Sequence, residues 1–316
     1  MKNHSAIIIG GTGQFGIILS QLLVKKKYKV FVTTRFNKKI RKYRNKYKKI
    51  NFVKLNIYKK KEIKKILNKI NPQLVFYFAG QSSPQLSHKK KKETYQSNYL
   101  GCKNVLEEIK VKNSKIKFLN ATSSEMYGHI KGKISLTTPK KPLNPYGKAK
   151  KKSFNLVKKY RENFKMENYN AILFNSESYL RDKSFLIAKI CIAAINAYKF
   201  KKITTINNIL VTREWNWCEE QCELLLKFLN KKPQDFILSN GKSFSIKQML
   251  KFAFEYFNLN FSEFIKIKNK KLKKNEIKDK RSNFKESFKR NNINIKNKIY
   301  GKKLIHKMIK FYLNGK

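Results

Sequence analysis

The sequence predicts an α/β protein built on a doubly wound parallel sheet, with a smaller, mainly C-terminal domain following it. Two observations carry that reading. The chain opens on Ala6-Ile7-Ile8-Ile9, a short apolar run of strand type. The turn Gly10-Gly11-Thr12-Gly13-Gln14-Phe15-Gly16 follows, and then Ile17, Ile18, Leu19, Leu22 and Leu23 recur at helical spacing. Beyond this unit, strand-type and helix-type segments alternate through the first half of the chain, the pattern of parallel strands with ligands at their C-terminal ends.

In order, strands are expected at 6–9, 28–34, 52–55, 74–80, 116–120 and 170–174. Helices are expected over 62–70, ending before Pro72, over 94–110, and from Pro145 on through 154–163. The strand at 116–120 delivers Ser123 and Glu125 at its C-terminal end. No internal repeat is present. The Lys-rich stretches at 38–49 and 264–281 read as solvated or mobile surface.

Composition bounds the function. The 316 residues are 41% hydrophobic and 13% aromatic, enough for the core of an ordinary globular enzyme. No apolar run reaches the roughly 18 residues of a membrane span, and the first strand begins too early to leave room for a signal peptide. Lys and Arg number 74 against 19 Asp and Glu, a net charge of +55. Such a surface holds polyanions loosely at low salt. The lysines are spread along the whole chain, however, so the charge reads as a compositional bias laid over a fold, without a specific nucleic-acid partner. Cys102, Cys191, Cys218 and Cys222 have neither zinc nor disulfide-framework spacing. Buried free thiols and a reducing, cytoplasmic setting fit them, and no metal site is expected.

Three segments carry chemistry. The strand, glycine turn and helix suit a dinucleotide pyrophosphate: Gly10, Gly13 and Gly16 allow a tight turn and close approach, with Thr12 and Gln14 beside them. The helix start presents unpaired N–H groups to the anion. After the second strand stands Thr33-Thr34-Arg35-Phe36, with no acid for a ribose 2′-hydroxyl. Arg35 there favours NADP over NAD. Finally, Pro145-Tyr146-Gly147-Lys148-Ala149-Lys150 places Tyr146 and Lys150 four apart on one helix face. A neighbouring ammonium favours phenolate over the usual tyrosine pKa of ~10, which suits proton transfer at a sugar or alcohol hydroxyl.

Together these pieces resemble the extended short-chain dehydrogenase/reductases, Rossmann-like enzymes, and among them the GDP-mannose 4,6-dehydratase family. The likeness runs through most of the first 255 residues. It includes the glycine turn, Ala79-Gly80-Gln81-Ser82 after the fourth strand, Ser124-Glu125-Met126-Tyr127-Gly128, and Asn144 to Lys150 where the family has Ser-Pro-Tyr-Gly-x-Ala-Lys. Ile172-Leu173-Phe174-Asn175-Ser176-Glu177-Ser178 is close to its Leu-Phe-Asn-His-Glu-Ser, and Arg213-Glu214-Trp215 stands for Arg-Asp-Trp. Phe236 to Gly241 looks like its strand leading to Thr-Gly.

The resemblance implies a homodimer or homotetramer with residues 1–170 as the NADP-binding domain. Residues 171–316 would be mainly substrate-binding, with segments returning to the first domain and 258–316 divergent. It also implies an internal redox cycle on a nucleotide sugar, GDP-mannose above all: hydride leaves C4 as Tyr146 accepts the 4-OH proton, Glu125 removes the C5 proton, water leaves from C6, and hydride returns there. Ser123 would hydrogen-bond the 4-oxygen, and Lys150 would bind the nicotinamide ribose. Arg35, Asn56, Ala79, Gln81, Ser82 and Arg181 would line the cofactor, with Arg181 near a 2′-phosphate, in a loop that a neighbouring subunit can supply. Ser82, Asn175, Lys189, Arg213 and Arg281 would contact substrate, the cations on its diphosphate.

The chain departs from the family pattern at Phe15, Phe36, Asn56-Ile57, Ser123, Ser176 and Gln221. The family's Arg-Pro-x-Glu survives as Arg281-Ser282-Asn283-Phe284. Two alternatives stand beside the dehydratase: another dehydratase, 4-reductase or epimerase of the same fold, and a degenerate nucleotide-binding protein without turnover.

Overall fold

The computed structural model describes residues 4–269, 271–272, 277–295 and 298–315. The chain divides into two compact units. The first comprises 1–129, 136–173 and 222–238; the second comprises 130–135, 174–221 and 239–316.

The first unit is organised by a seven-stranded, wholly parallel sheet. Its strands run in the order Asp235–Leu238, Asn168–Leu173, Lys117–Ser123, Leu74–Tyr77, Ser5–Ile9, Lys29–Thr34, Asn51–Lys54. The strand order reverses beside Ser5–Ile9, so a crevice opens at the C-terminal ends there, where such sheets take their ligands. Ser5–Ile9 is buried along its whole length because it is central and covered on both faces. Ile7 and Ile9 pack with Val75, Phe118, Leu106 and Val157 in one apolar cluster. The helix Gln14–Lys25 buries Ile17, Ile18, Leu19 and Leu23, as its spacing predicts.

Three expectations are corrected. The helix expected over 94–110 is three pieces: Lys91–Tyr95, a π turn at Gln96–Leu100, and Gly101–Lys112. The ladder loosens because side chains compete for it. Tyr77 Oη donates to Ser97 O at 2.6 Å, and Ser97 Oγ donates to Glu93 O while accepting from Gln81 N–H. The fourth strand ends at Tyr77 because Gly80 turns the chain at φ 147°, with its α-carbon against Asn98 Oδ1. The Lys-rich stretch at 38–49 is largely an exposed helix, Asn37–Lys46, burying only Ile40. In 264–281 the reading of surface does not hold throughout. Ile265–Ile267 and Asp279–Ser282 are strands and Lys280 is buried; residues 270 and 273–276 lie outside the described residues.

The second unit holds a four-stranded sheet in the order Ser243–Ser245, Thr212–Glu214, Asp279–Ser282, Lys133–Ile134. A separate core joins Trp215 and Trp217 to the helices Leu186–Phe200, Ile246–Glu255 and Gly301–Asn314. The chain passes from the second unit into the first within the helix Cys218–Leu229.

Candidate active site

The helix Pro145–Phe164 begins with proline at its first position, and Asn144 is its N-cap. Asn144 Oδ1 accepts from Gly147 N–H at 2.8 Å. The same side chain turns its amide to the other partner: Nδ2 donates to Glu125 Oε2 at 2.9 Å. Glu125, half-buried, lies in the single 3₁₀ turn Ser124–Met126 that follows the strand ending at Ser123. Ser123 Oγ accepts from Glu125 N–H at 3.2 Å, fixing the acid's backbone. Gly147 is a steric requirement, because a Cβ there would overlap Glu125 O. One helix start therefore carries Tyr146 and grips the turn that carries Glu125.

Lys150, one turn further, is 5% exposed. Its Nζ donates to Ala121 O at 2.7 Å and lies 5.8 Å from the centre of the Tyr146 ring. Burial lowers the ammonium pKa to about 8, opposed by the neighbouring Cys102 thiol, which burial itself raises to about 12. A lysine so placed is still mostly charged at pH 7 and supports a phenolate on Tyr146.

At the glycine turn, Gly10 (φ 72°) lies with its α-carbon against the Ala79 backbone, and Gly16 packs on Gly11, leaving no room for side chains. Gly13 differs: a Cβ there meets nothing within 4 Å, and the helix it caps has no side-chain cap and no acid in its first turn. That open cradle of N–H groups fits a pyrophosphate. Thr12 and Gln14 are buried beside it. In the loop after the fourth strand, Gln81 Nε2 donates to Ser83 O at 2.8 Å, whereas its buried Oε1 has no donor among the described residues; Ser82 is exposed. The donor set and the space fit a dinucleotide. Asn56 holds its own loop, accepting from Tyr58 N–H and donating its N–H to Glu62. Arg35 is paired with Glu93 at 3.0 Å and rests over the Phe36 ring.

The family model described as GDP-mannose 4,6 dehydratase matches residues 7–302. The chain belongs to this family. It is 30% identical over 270 residues to the GDP-mannose 4,6 dehydratase of Dictyostelium discoideum, covering 79% of this chain and 75% of that one. With the human enzyme of that name it shares 27% over 264 residues, 79% and 71% of the two chains. Among solved structures, a UDP-glucose 4-epimerase of Thermus thermophilus superposes with a TM-score of 0.86 at 15% identity, covering 99% of this chain and 100% of that one. A dTDP-glucose 4,6-dehydratase of Bacillus anthracis gives 0.85 at 14%, covering 99% and 97%. These two share the fold. The family match continues well past residue 258, where motif-by-motif likeness thins.

The remaining family positions lie in the second unit. Asn175 is exposed, and its carbonyl accepts from both the backbone and the side-chain amide of Asn216. Lys189 Nζ donates to Thr205 O at 2.7 Å. The Arg213 guanidinium caps the carbonyls of Thr212, Ile277 and Lys278, and the sheet register pairs Arg213 with Lys280 rather than Arg281. Arg281, exposed, pairs with Asp279 at 2.7 Å. Arg181 is held within its own chain, against Glu177 at 3.4 Å and over the Phe185 ring. Two departures from the family's GDP-mannose dehydratase pattern meet: buried Ser176 donates to buried Gln221 Oε1. Sequence reasoning missed Asn144; the signal available was an amide at the N-cap, where the motif otherwise has serine.

Proposed function

We propose that this protein turns GDP-mannose into its 4-keto-6-deoxy derivative. Membership of the family makes it a hydro-lyase acting on a sugar nucleotide. The observation that carries the reading for this chain is the Asn144 bridge, which ties the Glu125 carboxylate to the start of the Tyr146 helix. A 4-reductase or simple 4-epimerase has no use for a carboxylate held there; C5 deprotonation does.

A nicotinamide dinucleotide, when bound at the glycine turn, supplies a hydride acceptor that later serves as donor. Tyr146, supported by the Lys150 charge, takes the proton of the sugar 4-hydroxyl. Ser123 hydrogen-bonds the 4-oxygen. The 4-carbonyl acidifies the C5 proton, which Glu125 removes; the electron pair expels the 6-oxygen, which leaves as water with a proton returned to it, and C5 regains a proton as hydride is returned to C6. The choice of NADP rests on Arg35 at the end of the second strand, whose partner Glu93 must release it to a 2′-phosphate. The reading includes a homodimer or homotetramer and, from four buried free cysteines, a reducing cytoplasmic setting.

Incubating purified protein with GDP-mannose and NADP, with mass spectrometry of the products, tests the proposal. Glu125→Gln should abolish water loss while leaving dinucleotide binding intact. Absence of product from the unaltered protein sinks the proposal.

A further inference from the structure

On the dehydratase reading just given, we infer that Asn144 is a positioning residue for the C5 base: it fixes the Glu125 carboxylate and keeps it ionised. One planar amide does two jobs with its two ends. Its oxygen caps the helix through Gly147 N–H at 2.8 Å, and its nitrogen donates to Glu125 Oε2 at 2.9 Å. The cap fixes the amide plane, so the donor end is aimed rather than free to rotate. Gly147 adds a second tie, since its bare α-carbon lets the helix start rest on the Glu125 backbone. A shorter cap such as serine satisfies the helix with its single oxygen and brings no amide donor.

A hydrogen bond donated to a carboxylate favours the charged form, which is the form a base needs. The ionisable groups on the elements packed here include Tyr146, Lys148 and Lys150 on the helix, Tyr127 beside the acid's own turn, and Lys140, whose Nζ lies 5.3 Å from the Tyr127 ring centre; the helix also packs against Lys91–Tyr95, which carries Glu93, and Gly101–Lys112, which carries Glu107 and Glu108. Glu93 is paired with Arg35 and Glu107 with Lys60, so the carboxyl titration is assigned to Glu125 by its loss in Glu125→Gln.

The test compares Asn144→Asp and Asn144→Ser with the unaltered full-length protein. Asp and Ser are both strong N-caps, so both variants should melt within a degree or two of the parent. Asp replaces the donor with a like charge. It should move the acid limb of the kcat profile up by about one pH unit or more and slow solvent-deuterium exchange at C5 roughly tenfold at pH 7. KM for the sugar nucleotide should stay unchanged. Ser should give the same changes at smaller size. Titration of the Glu125 carboxyl by carbon-13 NMR, assigned with Glu125→Gln, reads the same shift without substrate. If both variants keep the parent's acid limb, exchange rate and carboxyl titration, the inference is overturned. A shifted titration in a protein that never dehydrates GDP-mannose would uphold the Asn144–Glu125 tie and refute the dehydratase reading instead.

Discussion

Replacing Lys150 with methionine should make the protein inactive and more stable at once. The fold holds this ammonium at 5% exposure, and burial takes its pKa from the usual 10.5 down to about 8. At about 1.4 kcal/mol for each tenfold change, keeping it charged at pH 7 costs roughly 3 kcal/mol. The folded state binds this proton less tightly than the unfolded chain. Its penalty is therefore in full force below pH 8 and disappears as pH climbs from about 8 to 10.5. Methionine fills similar space without charge and gives up the hydrogen bond to Ala121 O, worth about 1–2 kcal/mol. The net gain is about 1–2 kcal/mol, a rise of about 1.5–3 °C in Tm for a chain of this size. Differential scanning calorimetry of both proteins at pH 7 and pH 10 measures it. A variant melting below its parent at pH 7, or a difference that fails to narrow by pH 10, would refute the reasoning.

Two glycines make a contrasting pair. Gly13→Ala meets open space at an ordinary φ of −88°, so stability should fall by no more than about 1 kcal/mol, the cost of alanine at an N-cap, while titration with NADP and NAD shows at least tenfold weaker binding of both. Gly147→Ala should instead lower stability by about 1–3 kcal/mol by chemical denaturation, despite alanine's better helix propensity, because its Cβ overlaps Glu125 O. For buried Glu177, burial raises the carboxyl pKa to about 7 against the opposing pull of Arg181. The unfolded chain loses that proton first, so stability contributed here falls as pH rises from about 4.5 to 7. Glu177→Gln should raise Tm at pH 8 and leave it unchanged at pH 4.

The parallel sheet was legible because its strands are short apolar runs and its first turn is written in glycines. The positions of Ser123 and Glu125 followed directly, since a strand of known end delivers what comes next. Less legible was anything set by side chains from distant sequence. The π turn at Gln96–Leu100 depends on Tyr77 and Gln81, which no local periodicity of 94–110 reveals. Arg35 read as a cation awaiting a phosphate, yet Glu93, 58 residues away, already faces it. Ser176 and Gln221 each looked like a lost family residue; folded, they bond to each other 45 residues apart. Buried Lys280 was hidden by its lysine-rich surroundings, where composition argues for solvent.

The edge strand Asp235–Leu238 has a consequence for how this chain is made. It covers the flank of Asn168–Leu173, yet the ribosome delivers it more than sixty residues later. Until then the nascent polypeptide carries six aligned strands with one bare, hydrogen-bond-hungry side. Translation pauses placed between those two points would lengthen that exposure, and a cut anywhere in the interval would make it permanent.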